Sequence, residues 1–413
     1  MLMKINRAPA LLLAALITLS ACGGESGEPP VATPLPIPSA TAAPAETPAP
    51  PAVDYLSNYL PAPAPDFSLY RRAVEAKGIY LTANIAGSTE LFERRLTLVN
   101  DTELNAVVMD VKADQGFITF KNKIPLADEL GITVNYIRDF DALMATFKEN
   151  NIYTIARVVV FKDDTIVDTR PDFAIGVTDG SNNGIYRQGE AGGKYGTAWL
   201  NPYNREVWDY IVDLSLQIAA LGFDEIQFDY VRFPTDRTTK YEDFGDTGGL
   251  SKIEILTAFS KYAYERISPT GVKLSADIFG TIINSSLDAS LIGQDFVELA
   301  KVYDIVCPMV YPSHYAPGSM NIAQPDLAPY ETIYESMRIA LEKLAEVPEG
   351  ERVAIVRPWL QDFTASWIKP HLVYGDKELR AQIQACYDAG ITEWLLWNAK
   401  NEYSAGGLLP AGE

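Results

Sequence analysis

An alternation of apolar runs and helical segments, repeated eight times, is the feature that most constrains the fold of this chain. Each run is short and rich in β-branched residues, and most runs are separated from the next by a stretch with helical periodicity. The runs cover residues 77–86, 104–111, 152–161, 225–231, 273–279, 302–311, 352–360 and 391–398. Near-continuous apolar strands that alternate with helices are typical of a parallel sheet covered on both faces. Eight such units predict an α/β fold, a (β/α)8 TIM barrel.

The helices between the runs are marked by apolar spacing and by signals at their ends. In residues 205–221 apolar side chains recur at intervals of three and four, with Asn204 as a suitable N-cap and Gly222 as a suitable stop. Similar periodicity marks residues 251–267, 330–346 and 376–389. A doubly wound nucleotide-binding fold is the alternative. It is disfavoured because no run is followed by Gly-x-Gly-x-x-Gly or a Walker loop.

The first 70 residues carry signals of export. A basic start and a short apolar run lead to Leu-Ser-Ala-Cys ending at Cys22, the form of a bacterial lipobox. We expect residues 1–22 to be a lipoprotein signal peptide and Cys22 to be lipidated; an ordinary signal peptide is the alternative. Residues 23–70, rich in Pro, Ala and Thr, predict an extended linker. The protein is therefore expected outside the cytoplasm, lipid-anchored to a bacterial membrane or cell surface.

The remaining residues, 71–413, are long enough for one large α/β domain, the predicted barrel. The chain has 34 basic and 54 acidic residues and a net charge of −20. This charge argues against nucleic acid and anionic lipid surfaces as partners. Cys307 and Cys386 lie in apolar segments and are predicted to be buried thiols, with a disulfide between them as the alternative.

Residues 222–234, Gly-Phe-Asp-Glu-Ile-Gln-Phe-Asp-Tyr-Val-Arg-Phe-Pro, carry the clearest functional signal. Alternation along the apolar run directs Gln227 and Asp229 into the barrel. A carboxylate at the carboxyl end of a barrel strand lies at the catalytic face, so we predict that Asp229 is catalytic. The alternative is that Asp229 caps the next helix or pairs with Arg232.

Polar and aromatic side chains also gather where the other runs end. Aromatic rings suit stacking on sugar rings, and carboxylate, amide and guanidinium groups suit bonding to sugar hydroxyls. We therefore predict a carbohydrate substrate. The predicted substrate-binding residues are Lys112, Trp199, Arg232, Tyr311, His314, Arg357, Trp359, Gln361, Trp397 and Asn398.

Hydrolysis of a glycosidic bond needs two carboxyl groups, and Asp277 is the predicted partner of Asp229. Both residues lie at the ends of neighbouring runs with the same inward parity, and neighbouring strands are roughly 4.8 Å apart. This spacing favours a retaining mechanism, in which the carboxyl groups are about 5–5.5 Å apart. Asp362 and Asp110 are the alternative catalytic carboxylates.

Other chemistries fit the sequence less well. The two histidines, His314 and His371, cannot form a three-His zinc site, although two histidines with a carboxylate could bind zinc. No Gly-x-Ser-x-Gly elbow is present, which argues against a serine hydrolase. We expect no metal and no cofactor. The long glycine-rich segment 162–204, which contains Trp199, is predicted to form much of the substrate cleft.

Several segments together resemble the glycosyl hydrolase domain family of bacterial TIM-barrel proteins. They are 198–202 (Ala-Trp-Leu-Asn-Pro), 206–210 (Glu-Val-Trp-Asp-Tyr), 222–234, 77–82 (Lys-Gly-Ile-Tyr-Leu-Thr) and 107–112 (Val-Val-Met-Asp-Val-Lys). The resemblance spans roughly residues 77–400. It implies a TIM barrel and a glycoside hydrolase; a non-catalytic glycan-binding lipoprotein on a degenerate barrel is the alternative.

The wider group that this family resembles includes α-amylase-like and α-galactosidase-like enzymes. Their nucleophile is an Asp at the end of the fourth strand, and Asp229 matches that position. The α-amylase-like enzymes place a Glu acid/base after the fifth strand, where this chain has Asp277, a shorter carboxylate. The resemblance therefore supports Asp229 more strongly than its partner.

Overall fold

The structure is a computed structural model of the protein. It describes residues 74–189, 196–236 and 239–412. The predicted signal peptide 1–22, its lipidation site Cys22 and the linker 23–70 lie outside the described residues. The catalytic domain predicted from residue 71 onward is described from residue 74.

Eight parallel strands form a closed barrel. They are β1 (Lys77–Leu81), β2 (Ala106–Lys112), β3 (Tyr153–Val159), β4 (Glu225–Asp229), β5 (Lys273–Phe279), β6 (Ile305–Met309), β7 (Ile355–Val356 and Trp359–Gln361) and β8 (Trp394–Trp397). Each strand pairs in parallel with the next, and β8 pairs with β1 to close the ring. The predicted (β/α)8 barrel is confirmed.

Helices follow the strands around the outside. They are α1 (Ala83–Ala86), α2 (Thr89–Asp101), α3 (Pro125–Glu129), α4 (Phe140–Glu149), α5 (Arg205–Ala219), α6 (Lys252–Ile267), α7 (Ser286–Ile292), α8 (Phe296–Ala300), α9 (Pro329–Ala345) and α10 (Asp376–Asp388). Short 3-10 turns lie at Ile166–Asp168, Pro171–Phe173, Asn182–Gly184, Thr239–Tyr241, Ser268–Thr270, Gly280–Ile283, Pro312–His314, Ser319–Asn321, Pro325–Leu327 and Ala405–Gly407. The predicted N-cap of α5 is confirmed, since the Asn204 side chain accepts a hydrogen bond from the Glu206 N–H.

The strands bury both faces, and their side chains alternate between two layers. Ile226 and Phe228 of β4 belong to the large apolar core between the barrel and its helices. Ala106, Val108 and Cys307 belong to a second cluster inside the barrel. The period-2 alternation of a strand accounts for this separation, and it also places Asp229 on the inner side.

The long segment 162–204, predicted to form much of the substrate cleft, is described at residues 162–189 and 196–204. None of its described residues lines either large cavity at the catalytic face. Instead it forms short antiparallel pairings, Arg187–Gln188 with Thr197–Ala198 inside the segment and Gly176–Val177 with Glu242–Asp243 outside it. Its apolar side chains account for the difference, because residues such as Ile166 and Ile175 are fully buried and require packing partners.

Two further features bear on the sequence predictions. Cys307 and Cys386 are both free and buried, so the predicted buried thiols are confirmed and the alternative disulfide is not formed. Within the described ranges, no helix is both long enough and apolar enough to span a membrane.

Candidate active site

A cavity of about 560 Å³ opens at the carboxyl ends of the barrel strands. Six of the residues predicted from the sequence line it: Asp229, Arg232, Tyr311, His314, Trp359 and Trp397. They follow four different strands, which a closed parallel barrel brings to one face because all of its strands end on the same side. The sequence prediction of a joint site at this face therefore agrees with the structure, while the chemical role of each residue stays a prediction.

Asp229, the last residue of β4, is held by donors on both carboxylate oxygens. Its Oδ2 accepts from Nε and Nη2 of Arg157 at 2.9 and 2.6 Å, and its Oδ1 accepts from the Tyr230 N–H at 2.6 Å. Charge-assisted bonds of this kind stabilise an ionised carboxylate and fix its orientation. Asp229 is thus a positioned anion at the floor of the cavity. Asp229 does not form an ion pair with Arg232, which was the alternative to a catalytic role.

Tyr230, directly after Asp229, adopts a left-handed backbone with φ of +54°. A bulky residue in this region is strained by about 1–3 kcal/mol, and such residues cluster at functional sites. The turn brings the Tyr230 N–H onto Asp229 and places the Tyr230 ring on the cavity wall. The strained turn therefore serves to aim the catalytic candidate.

Arg157 is the centre of an ion cluster that the sequence analysis missed. This β3 residue is 3% exposed, and it also donates to Asp110 through Nη1 and to Asp114 through Nη2, both at 2.7 Å. Burial opposes ionisation of Asp114, yet Arg157 and Lys162 hold the pKa of Asp114 well below its usual range. The available signal was an Arg with inward parity inside the apolar run Ile-Ala-Arg-Val-Val.

Asp277 of β5 lies on the strand next to Asp229 but, unlike Asp229, is not among the residues that line the two cavities. The last registered pair between β4 and β5 is Phe228 with Ala276, so the two carboxylates follow on adjacent strands. Asp277 is 2% exposed, and its Oδ1 accepts from the indole N–H of Trp359 at 2.6 Å. Burial, and then the charge of Asp229, raise the pKa of Asp277 well above its usual value. A carboxyl group of raised pKa is suited to donate a proton as a general acid.

Asp110, an alternative catalytic residue, faces a second cavity of about 570 Å³. The two cavities share Asp114 and Trp397, so the Arg157 cluster lies between them. The Asp110 carboxylate accepts from Tyr80 at 2.6 Å and from Arg157, while burial raises its pKa. Tyr80 in turn stacks on Trp397, with ring centroids 4.3 Å apart. The surface on both sides of Asp229 is therefore aromatic and polar.

Three predicted substrate-binding residues are enclosed and contact neither cavity. Lys112 is fully buried and pairs with Asp163 at 2.7 Å, because β2 continues past Asp110 and turns this side chain toward the long segment. Arg357 lies between the two parts of β7 and binds Glu225, the first residue of β4, so it points away from the catalytic face. Gln361, also fully buried, accepts from the Ser313 N–H. The substrate-binding role of these three residues stays a prediction, since their side chains are engaged with protein groups in the described structure.

Two further predicted residues hold a loop together and are not among the residues that line the two cavities. The Asn398 amide donates to the carbonyl groups of Asp362 and Glu402, at 2.6 Å each. The Asp362 carboxylate accepts from the backbone and hydroxyl of Ser404 and is 4% exposed. Hydrogen bonds to the loop after β8 thus engage the polar groups of Asn398 and Asp362. Asp362 stays an alternative to Asp277, which likewise lines neither cavity.

Trp199, also predicted to bind substrate, is 0% exposed and does not line the cavity. Its ring packs edge-on against Tyr230, with centroids 5.7 Å apart, and beneath the guanidinium of Arg232. It therefore supports residues of the cavity wall from behind. The Lys162–Trp199 bridge pins the segment at this depth.

We expect Trp199→Ala to lower the free energy of unfolding by about 3–5 kcal/mol, because a fully buried large ring is removed. Chemical denaturation of the two proteins measures this loss. Trp367→Ala is the matched control, since Trp367 is 66% exposed and its removal should change stability by less than about 0.5 kcal/mol. Wild-type stability of the Trp199 variant, with glycan binding lost, would show that Trp199 faces the substrate after all.

Asp110, Asp114 and Asp229 are bound to the Arg157 guanidinium of the protein itself. Within residues 74–189, 196–236 and 239–412, no group of three or more His, Cys, Asp or Glu side chains is arranged to hold a metal ion. His314 forms a hydrogen bond with Ser313 at 2.9 Å, and His371 lies near the carbonyl of Ile368.

Residues 78–403 match the family described as "Putative glycosyl hydrolase domain". The chain belongs to this family. The match covers the whole barrel, including both carboxylate-bearing strands β4 and β5. The resemblance drawn from the sequence motifs is thereby confirmed, and family membership supports a glycosidase.

Solved structures share the barrel. The PgaB (BpsB) glycoside hydrolase domain from Bordetella bronchiseptica matches with a TM-score of 0.55 and 15% identity over 79% of this chain and 95% of that one. Alpha-L-fucosidase isoenzyme 2 from Paenibacillus thiaminolyticus matches with a TM-score of 0.50 and 13% identity over 81% of this chain and 47% of that one. A hypothetical protein from Ruminiclostridium thermocellum is 37% identical over 48% of this chain and 96% of its own, with a TM-score of 0.43. No curated protein matches this chain.

Proposed function

We propose that this protein is a retaining glycoside hydrolase that acts on an oligo- or polysaccharide outside the cytoplasm. Asp229 attacks the anomeric carbon, and Asp277 protonates the leaving oxygen and then activates water. The observation that carries this proposal is the pair itself. Asp229 is an oriented, ionised carboxylate at the cavity floor, and Asp277 on the next strand is a buried carboxyl group of raised pKa.

The different environments of the two carboxyl groups support their different roles. Two carboxyl groups of a glycosidase must differ in protonation, one charged and one neutral, and their surroundings set this difference. Asp229 receives three N–H donors, two of them from a guanidinium. Asp277 receives one neutral indole donor and is otherwise buried. The nucleophile and the acid are therefore assigned by their hydrogen-bond partners.

The aromatic surroundings of the pair support a sugar as the substrate. Trp359, Trp397 and Tyr311 line the cavity, and Trp359 meets Trp397 edge-on at 5.7 Å between centroids. Trp397 is the least buried of the three and offers its ring to the apolar side of a pyranose, while the buried Trp359 and Tyr311 shape the wall around it. The Bordetella glycoside hydrolase domain, which shares the barrel, is consistent with this proposal.

We expect hydrolysis with net retention of the anomeric configuration. Adjacent parallel strands lie roughly 4.8 Å apart, which leaves no room for the water that separates the carboxyl groups of an inverting enzyme by about 6.5–9.5 Å. A polysaccharide panel with reducing-end detection identifies a substrate, and proton NMR of the first product reports its anomer before mutarotation. A first product of inverted configuration would remove Asp277 from its role. Binding without any turnover would indicate a non-catalytic glycan-binding protein.

Anchoring by lipid is the second part of the proposal. It rests on the Leu-Ser-Ala-Cys motif at Cys22 and the Pro-rich residues that follow it. We expect mass spectrometry of the native N-terminus to show diacylglyceryl-cysteine. Cys22→Ser should move the protein from the membrane fraction to the soluble fraction. Equal membrane retention of the Ser variant and the wild type would contradict the anchor.

A further inference from the structure

Four basic side chains are buried among the residues that the structure describes: Lys112, Arg157, Arg232 and Arg357. Three of them contact a carboxylate directly. Lys112 pairs with Asp163 at 2.7 Å, Arg157 with Asp229 at 2.6 Å, and Arg357 with Glu393 at 2.7 Å. Arg232 is the exception. In the described ranges no carboxylate oxygen lies within 4 Å of its guanidinium, although the residue is only 9% exposed.

The surroundings of Arg232 are aromatic. Its guanidinium carbon lies 4.9 Å from the ring centre of Trp199, 5.0 Å from that of Tyr230 and 4.7 Å from that of Phe279. One hydrogen bond, from Nη1 to the Phe233 carbonyl, is made within the described part of the chain. Ring faces offset part of the desolvation of a cation, but they leave its in-plane N–H groups without acceptors.

The contrast with the other buried arginines extends to their protonation. Burial disfavours the charged form in all three, yet carboxylates raise the pKa of Arg157 and of Arg357. Burial lowers the pKa of Arg232, and the charges around it do not restore it. An uncompensated buried cation is costly, and a protein that keeps one has a use for it.

Two carboxylates that line the cavity together with Arg232 are already bound by other cations. Asp229 is bound by Arg157, and Asp114 by Arg157 and Lys162, the latter at 2.8 Å. Arg232 lines the same cavity as Asp229, so a ligand that fills the cavity reaches the guanidinium. A planar guanidinium fork binds carboxylate and sulfate or phosphate oxygens in a bidentate manner.

We infer that the substrate is an acidic glycan and that Arg232 binds an anionic substituent of the sugar held in the cavity. The substituent is either a carboxylate or an ester of sulfate or phosphate. Its negative charge serves as the counter-ion that Arg232 lacks among the described residues. This inference rests on the proposed function, because it assumes that the cavity holds a sugar. It narrows the substrate class to charged polysaccharides, whereas aromatic stacking alone would serve neutral ones equally well.

The test is a binding measurement with matched charged and neutral glycans. Full-length protein carrying Asp229→Asn, which prevents turnover, is applied to an array. The array includes polygalacturonate with its methyl ester, alginate, hyaluronan, and dextran sulfate with dextran. We expect the tightest ligands to be acidic and their neutral partners to bind at least about tenfold more weakly, the loss of one charge-assisted bond. The carboxylate and sulfate pairs distinguish the two sources of the charge.

Variants assign the charge preference to Arg232. Arg232→Met in the same background should abolish the difference between charged and neutral partners. Arg232→Lys should keep part of it, because the charge remains and the fork is lost. Arg170→Met is the matched control. Arg170 also lies over an aromatic ring, that of Phe173, and pairs with Asp172 and Glu206 away from the cavity. The Arg170→Met substitution should leave the preference for charged over neutral glycans unchanged.

Thermal unfolding separates a binding role from a structural one. Because Arg232 has no carboxylate partner to lose, Arg232→Met should unfold at the wild-type temperature or above it. Three results would overturn the inference: neutral glycans bound as tightly as acidic ones, no acidic glycan bound, or a charge preference that survives in Arg232→Met. Acidic glycans that bind through Arg232 in a protein that hydrolyses none of them would overturn the proposed hydrolase alone.

Discussion

Asp229→Asn is expected to reduce turnover by several orders of magnitude, on the order of 10⁴ or more, on any substrate that the wild type cleaves. The amide cannot form the covalent bond to the anomeric carbon. It also places an NH₂ group against either the Arg157 guanidinium or the Tyr230 N–H, since donors face both oxygens. Initial rates on the substrate from the polysaccharide panel measure the loss. Activity within tenfold of the wild type would remove Asp229 from the mechanism.

Two controls separate the lost nucleophile from a disturbed site. Asp388→Asn changes an exposed carboxylate on α10 that bonds Tyr330 and Gln384, and it should leave the rate unchanged. Asp229→Gly removes the side chain and leaves space for a small external nucleophile. Azide should then restore turnover and give a glycosyl azide of inverted configuration. An Asp229→Gly protein that stays folded and gains nothing from azide would argue that Asp229 only positions other groups.

Asp277→Asn is expected to reduce turnover about 10²–10⁴-fold on substrates with poor leaving groups, the usual contribution of a general acid. Substrates with activated aryl leaving groups need no protonation and should lose much less. In the wild type, kcat/KM should fall as the pH rises through the raised pKa of Asp277, because the acid loses its proton. The variant has no such alkaline limb. A variant that keeps the wild-type alkaline limb would assign that limb to another group.

The stability of Asp277→Asn provides the control for folding. A carboxyl group whose pKa is raised by folding contributes stability that is present below its unfolded pKa of about 4 and is lost as the pH rises through its folded value. Asn stays neutral, and its oxygen still accepts from the Trp359 indole N–H. We therefore expect the variant to unfold at a higher temperature than the wild type at neutral pH, with the gain vanishing toward pH 4. A variant less stable at neutral pH would contradict the buried, protonated acid.

The proposed lipid anchor bears on the compartment in which these measurements matter. A protein anchored through Cys22 would meet polymers that reach the cell surface. A net charge of −20 would repel an acidic polymer at long range. The inferred preference for acidic glycans therefore requires short-range contact with Arg232. Because salt screens the long-range repulsion, added salt should strengthen rather than weaken the association of the protein with an acidic glycan.

The sequence by itself determined the barrel and the position of Asp229. Strand alternation is local, so Ile226 and Phe228 on one face and Gln227 and Asp229 on the other follow from five consecutive residues. Helix ends are equally local, as the Asn204 cap illustrates. The repetition of such units, eight in all, leaves few closed architectures, and the shared carboxyl ends of parallel strands bring the polar residues to one face.

Which of those residues contact one another could be seen only in the folded chain. Arg157 binds Asp229, 72 residues away, and Arg357 binds Glu225, 132 residues away. Trp199 is an aromatic residue in a glycine-rich segment, a pattern equally typical of a cleft and of a packed loop, and it lies at 0% exposure. Periodicity determines the face of a strand or helix on which a side chain lies. It does not determine which distant residues that side chain contacts. Partners across a barrel depend on how closure staggers the strands and on which charges must be neutralised once water is excluded.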